Sequence, residues 1–381
     1  MSDLTHPNLN NPDEAMPAAA QGAAVLVDDG AVGNDPAVMA AAGGKSSRRD
    51  LYLRGGILLA IGVIALGFAL GAGPVVMVLR LVVGLIGLMG IYMGARRIGL
   101  AKFGPDFDLT FVISCVWLAL IIGVAIIAPL LPLPEHVDTT KTLADKGYAS
   151  PSLFSAHPLG TNNFGLDLFS RSIYGARSSL VVAVGAVLIG IIVGGAIGIL
   201  AGYYGGKVDS IIGILTNSLL AVPSLILLIA LASVLKPNLR NISFALAALA
   251  IPSMIRIARA NTLTFSQREF VLAARAMGAT RWRVMVRELA PNVALPLASL
   301  GMVMISVLIV AEASLSFLGL GIQPPIPTWG NMIAEGQGGV FEKHAFIVLV
   351  PGMFLFLTVF SFNIIGEKAQ KATGGSREAK L

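Results

Sequence analysis

The sequence predicts an all-α polytopic membrane protein of about eight transmembrane helices, on three observations. Charged residues make up only 13% of the 381 residues and hydrophobic ones 55%, whereas soluble domains carry roughly 25% charge. Mean hydropathy is +0.81, and the apolar residues are gathered in runs near the ~20 residues that a helix needs to cross a bilayer core. Polar and basic residues collect between those runs. The net charge of +6 therefore reads as attraction to anionic lipid and positive-inside bias, with no nucleic-acid partner implied. The single cysteine, Cys115, lies inside an apolar run, which leaves neither a disulfide framework within the chain nor a thiolate metal cluster.

Taken in order, residues 1 to about 50 are rich in Ala, Gly, Pro, Asn and Asp without helical periodicity and read as a disordered cytoplasmic tail. Their acidic, polar start does not have the order of a signal peptide. Gly44-Lys45-Ser46 imitates the end of a phosphate loop, but Met39 stands where the first glycine is required. No nucleotide site is expected in this chain. Residues 51–104 hold two apolar runs around Gly71-Ala72-Gly73-Pro74, with Arg48, Arg49 and Arg54 before them and Arg96, Arg97 and Lys102 after. This is a transmembrane hairpin with cytoplasmic ends, and Arg80 is close enough to the turn to snorkel outward.

The third span, Thr110 to Leu130, is ended by Pro132 and Pro134. A polar segment then runs to about Arg177, with Asp167, Arg171 and Arg177 spaced for a short interfacial helix. Asp167 and Arg171 are expected to fix that helix. His136 and His157 lack companions at metal-ligand spacing, so no metal is expected. The fourth span, Leu180 to Tyr203, carries Gly190, Gly194, Gly198, Gly202 and then Gly206, a face without side chains that lets a neighbouring helix approach closely. Span five covers about Ser210–Leu235 and contains Asn217 and Pro223. Span six is short, about Ile242–Ile255, and span seven, about Val293–Leu318, holds Glu312. Span eight is about Ala345–Ile365, and residues 367–381 form a charged cytoplasmic tail. Asn217 and Glu312 are the candidates for a pathway or subunit interface. Each also has a structural reading: an interhelical hydrogen bond for Asn217, and bonds to Ser314, Ser316 or a partner for Glu312.

The long polar interruption of this apolar half is 256–292, with seven arginines from Arg256 to Arg287 against Glu269 and Glu288. Ser266 and Glu269 have capping-box spacing. A helix begun there places Phe270, Ala274 and Met277 on one face and stops at Gly278, a natural left-handed C-terminal residue. A second helix, with Trp282, Met285, Val286 and Leu289 on one side, is ended by Pro291. The unit has an apolar stripe and a basic back, and it either rests on lipid headgroups or is held by another protein. With this loop and both termini inside, 19 of the 27 Lys and Arg residues are cytoplasmic and 7 are outside.

Residues 271–291, VLAARAMGATRWRVMVRELAP, resemble the cytoplasmic EAA loop of ABC importer permeases. Ala273, Ala274, Gly278 and Pro291 match at the right spacing, whereas Leu272 replaces the usual glutamate. Residues 157–180, HPLGTNNFGLDLFSRSIYGARSSL, and residues from Ala311, AEASLSFLGLGIQPPIPTWGNMIAEG, are similar to segments of oligopeptide/dipeptide permeases of the C type. Asn162 stands for an aspartate and Leu166 for an arginine of that pattern. The resemblance covers about residues 105–366. It implies a six-helix permease core, to which the hairpin is an addition, and partners comprising a second, B-type permease, two ABC ATPase subunits or domains and an extracytoplasmic peptide-binding protein. ATP and Mg would be used by the ATPases, with no cofactor on this chain. It also implies that the loop docks in an ATPase groove through Phe270, Ala274, Met277, Trp282 and Met285. A nickel or other small-solute permease of the same subfamily is the alternative cargo reading. A secondary transporter has only Glu312 and Arg80 as intramembrane charges and no apparent inverted repeat. A membrane enzyme has no converging nucleophile, acid or metal ligands.

Overall fold

A computed structural model describes residues 45–71, 77–142, 145–152 and 155–378. The tail before Lys45 and the turn at 72–76 lie outside the described residues, as does the side chain of Arg80. The chain divides into two compact units, before and after the junction of Leu109 and Thr110. Among the described residues the elements are helices, with one isolated bridge between Thr161 and Asp167.

The first unit is a pair of helices, α1 (Lys45–Gly71) and α2 (Met77–Phe103). They are zipped together by glycines. A Cβ on Gly62 would stand 2.6 Å from the Ile91 nitrogen and one on Gly94 2.6 Å from the Leu59 nitrogen, so only hydrogen at these positions lets the backbones touch and gain dispersion contact in lipid. The charged residues from Lys45 to Asp50 belong to α1. The tail reading therefore ran too far, because Lys, Ser and Arg do not oppose a helix that an apolar run has already nucleated.

The second unit begins with α3 (Leu109–Ile127) and a tight turn Ala128–Leu130. Then comes α4 (Leu168–Tyr204), with a π-helical turn at Gly190–Gly194. Next are α5 (Gly206–Ala221), α6 (Ser224–Val234), α7 (Leu239–Ser266) and α8 (Glu269–Ala276). The long α9 (Arg281–Phe317), two short helices α10 (Trp329–Ala334) and α11 (Val340–Lys343), and α12 (Phe346–Glu378) complete it. Among the described residues, seven helices are long and apolar enough to span a membrane, and the bent pair α5–α6 is an eighth candidate.

Four boundaries differ from the sequence reading. The polar segment before Leu180 is no separate interfacial helix: Asp167 caps α4 itself, accepting from the Ser170 amide at 2.7 Å, and the helix runs unbroken through Arg171 and Arg177. Span five is broken, since Val222 before Pro223 is held extended and α5 and α6 meet at 90°. Span six is longer than its apolar run because arginine is a good helix former and α7 continues past Arg256 and Arg259. Residues 367–378 of the expected tail extend α12.

The core of this unit lies among α4, α7, α9 and α12. Gly190, Gly194, Gly198 and Gly202 face α7: Cβ atoms there would lie 2.9, 2.7 and 2.5 Å from Ala250, Met254 and Ala258, and 2.8 Å from the Arg259 oxygen, respectively. Gly206 has no part in that face. The chain turns away at Gly205 and Gly206, both with positive φ, to begin α5.

Candidate functional site

The segment from Gln267 to Leu289 is a helix, a turn and the opening of a second helix, and it has its own small core. Val271, Ala274, Val284, Met285 and Leu289 are buried together, with Ile199, Tyr203, Phe265 and Ala279 packed around them. Both Ile199 and Tyr203 come from the end of α4, so the loop is seated on a transmembrane helix. Gly278 has φ +82°, and the Ala279 amide reaches back to the Ala274 oxygen at 3.0 Å. That is the closure a left-handed glycine supplies at a helix C-terminus.

This arrangement corrects three parts of the sequence reading. Ser266 and Glu269 form no capping box: the Ser266 hydroxyl donates to the Leu263 oxygen at the end of α7, and α8 starts after Arg268 without a side-chain cap. Pro291 does not end the second helix. A π-helical stretch, Val284–Leu289, shifts the hydrogen-bond register just before it, and the proline ring is accommodated in the first turn that follows. The apolar stripe is divided. Ala274 and Met285 (6% and 4% exposed) belong to the loop's own core, while Met277 and Trp282 are 82% and 69% exposed. Phe270 and Leu272 are exposed too, as are Ala273 and Pro291. Periodicity cannot tell which of two apolar faces the chain itself covers.

Around the exposed apolar residues stands a basic rim. Arg268, Arg275, Arg281, Arg283 and Arg287 are exposed, against exposed Glu269 and half-buried Glu288. Arg275 lies over the Tyr203 ring at 5.0 Å and Arg281 over Tyr204 at 5.9 Å, so the cation–π attraction orders two of these side chains. In the sequence reading Tyr203 only ends span four and Tyr204 has no part.

At the other end of α4, roughly 55 Å along the helix, the capping Asp167 also meets His157 Nδ1 at 3.1 Å. One turn on, the buried Arg171 donates to Glu335, whose other oxygen accepts from Asn162 Nδ2 at 3.1 Å. Trp329, fully buried, donates through Nε1 to the Ser172 oxygen at 3.0 Å. Glu335 and Trp329 are 164 and 157 residues from these partners, too far for sequence spacing to pair them. In the preceding loop, Glu135 accepts from the His136, Val137 and Asp138 amides and from Lys141. Its carboxyl falls from 4.5 to about 2, chiefly through the Asp138 N–H. His136 stacks on Tyr174 at 3.6 Å, and burial there holds it below the usual imidazole range.

Between these ends lie the two membrane-embedded candidates. Glu312 is fully buried and accepts from Ser179 at 2.9 Å and Ser316 at 2.7 Å, a bond across helices α4 and α9 and one within α9. Asn217 instead is exposed on α5, in a cavity of about 620 Å³ that also contains Asp209, Arg256 and Arg259. Among the described residues it has no interhelical hydrogen-bond partner, and no group of three His, Cys, Asp or Glu residues is disposed to hold a metal.

Long apolar helices, close helix packing through glycine and an ordered loop with an exposed apolar face define a multi-pass α-helical membrane protein. The family described as the binding-protein-dependent transport system inner membrane component matches residues 194–372. A glutathione transport system permease protein of Pectobacterium atrosepticum is 38% identical over 219 residues, covering 57% of this chain and 72% of the relative. Dipeptide transport system permease proteins of Alkalihalophilus pseudofirmus and Haemophilus influenzae are each 34% identical, over 68% of this chain and 84% and 89% of theirs. The chain belongs to the binding-protein-dependent transport system inner membrane component family, as a permease subunit of an ABC importer.

Proposed function

We propose that this permease moves di- or oligopeptides across a bacterial cytoplasmic membrane, driven by ATP hydrolysis on separate ATPase subunits. Its two termini and the loop around Gly278 are cytoplasmic in this reading, in line with the Lys and Arg distribution. The observation that carries the proposal is the divided loop. Val271, Ala274, Val284, Met285 and Leu289 make it rigid from within, which leaves Phe270, Leu272, Met277 and Trp282 as an exposed apolar tip. An ATPase groove covers that tip, with an acidic rim matching the five arginines. Leu272 contributes apolar contact where the family motif has an acid. Because α4 and α9 are continuous with the loop's core, movement of the ATPases is carried into the spans as displacement of whole helices.

A second permease completes the pathway, an extracytoplasmic binding protein delivers the peptide, and this chain holds no nucleotide. The names of the relatives support the peptide cargo. The test is uptake by the complete importer in vesicles, with labelled dipeptide and labelled nickel offered in parallel, with and without ATP. ATP-dependent dipeptide accumulation is the expected result. Accumulation of nickel alone overturns the cargo while leaving an importer, and ATP-independent accumulation overturns the energy source.

A further inference from the structure

We infer that the groove between α3, α4 and α12 is a binding site for an anionic phospholipid, with its phosphate on Arg177 and an acyl chain along the groove. The cavity, about 510 Å³, is lined by apolar side chains apart from Arg177. Ile122 and Ile126 form one wall, Val181, Val184 and Leu188 the other, and Phe362 of α12 closes part of it. Ile126, Val181 and Leu188 are 70%, 55% and 52% exposed, so the groove opens outward from this chain. From Arg177 to Leu188 it follows α4 for about 16 Å.

The position of Arg177 selects the headgroup. The apolar run of α4 starts at Leu180 and reaches Leu200, about 31 Å of helix, which matches a hydrocarbon core of about 30 Å. One turn before that run, Arg177 stands at phosphate depth. The Tyr174 hydroxyl, another turn earlier, donates to the Ala128 oxygen at 3.3 Å and ties the end of α3 to α4 above the groove. Arg177 is exposed, and among the described residues it has no ion-pair partner. Arg171, one and a half turns away, is instead consumed by Glu335. An unpaired guanidinium at the mouth of an apolar furrow complements a molecule with one anionic group and a long hydrocarbon tail.

The test uses the complete importer purified from membranes containing phosphatidylethanolamine and phosphatidylglycerol, with retained lipid measured by native mass spectrometry. Phosphatidylglycerol is expected to be enriched over the bulk, and the enrichment to fall about fivefold in Arg177→Gln, the factor for losing one headgroup-facing charge. Arg177→Lys should retain most of it. Val184→Trp, which fills the groove but leaves Arg177 in place, should also lower it. Unchanged enrichment in Arg177→Gln, or in Val184→Trp should the first variant fail to assemble, overturns the proposal. So does a photo-crosslinking residue at Val181 that captures a second polypeptide instead of lipid.

Discussion

Asp209, in the first turn of α5, and Arg259, two turns before the end of α7, hold each other at two points. The guanidinium donates through Nε to Oδ1 and through Nη2 to Oδ2, the latter at 2.6 Å. This pair secures α5 just after the chain has turned at Gly205 and Gly206. Both side chains remain partly open, 40% exposed for Arg259 and 21% for Asp209, so screening limits their worth. Asp209→Asn should lower the thermal stability of the purified chain by no more than about 1 kcal/mol. The difference from the parent should shrink in high salt, and a loss of several kcal/mol that is insensitive to salt would show that the pair is part of the core.

The glycines of α4 make a sharper contrast. A Cβ at position 198 would stand 2.5 Å from the Ala258 Cβ and 2.6 Å from the Ile255 oxygen, whereas one at Gly213 of α5 meets nothing within 4 Å. Gly198→Ala should therefore cost about 1–3 kcal/mol through overpacking. Gly213→Ala, by raising helix propensity, should be neutral or stabilising by up to about 1 kcal/mol. Thermal aggregation midpoints in detergent would separate the two.

Glu135 gives the extracytoplasmic loop of the proposed topology a pH dependence. Its carboxyl is depressed in the folded loop, from 4.5 to about 2, first by the Asp138 amide and, against the opposing effect of burial, by Val137, Lys141 and His136. A depressed acid stabilises the folded form above its unfolded value and loses that contribution on acidification. Hydrogen exchange of the Val137 and Asp138 amides should accordingly show protection that is full above pH 4.5 and lost as pH falls toward 2. Glu135→Gln should remove that dependence. An unchanged profile in this variant would assign the protection to other contacts.

How much of this was legible beforehand follows from the range of each signal. The apolar runs located the spans because lipid demands them, and the four-residue glycine repeat marked the α4 face that α7 covers. Hydropathy placed helix ends poorly, since Arg256 and Arg259 are polar yet helical. Pro223 was visible within a span, but the 90° turn there depends on where α5 and α6 pack. In the loop, sequence revealed apolar residues on a helix–glycine–helix unit without revealing that Val271 and Val284 help fill its own core. Ser316, four residues beyond Glu312, was legible from local spacing and does donate to it, but the distant partners of Arg171 and Glu312 were invisible for a simpler reason. Glu335 and Ser179 are brought to them by tertiary packing, with no local spacing to betray it.

The loop's two faces are expected to answer differently to mutation. Leu289→Ala removes a fully buried side chain from the loop core and should destabilise the chain by about 2–4 kcal/mol. A Trp282→Ala, Met277→Ala double variant removes exposed side chains and should alter stability by no more than about 0.5 kcal/mol. Circular dichroism melts of the purified chain check both, and equal losses would mean that the exposed tip is also structural.

The same double variant tests coupling most directly, in vesicles containing the complete importer where ATP hydrolysis and peptide uptake are measured side by side. If Met277 and Trp282 transmit movement from the ATPases, uptake should fall at least about tenfold, corresponding to the loss of ~1.4 kcal/mol of docking contact, while the chain stays folded in the membrane. Uptake equal to the parent's at the same rate of ATP hydrolysis would contradict the account.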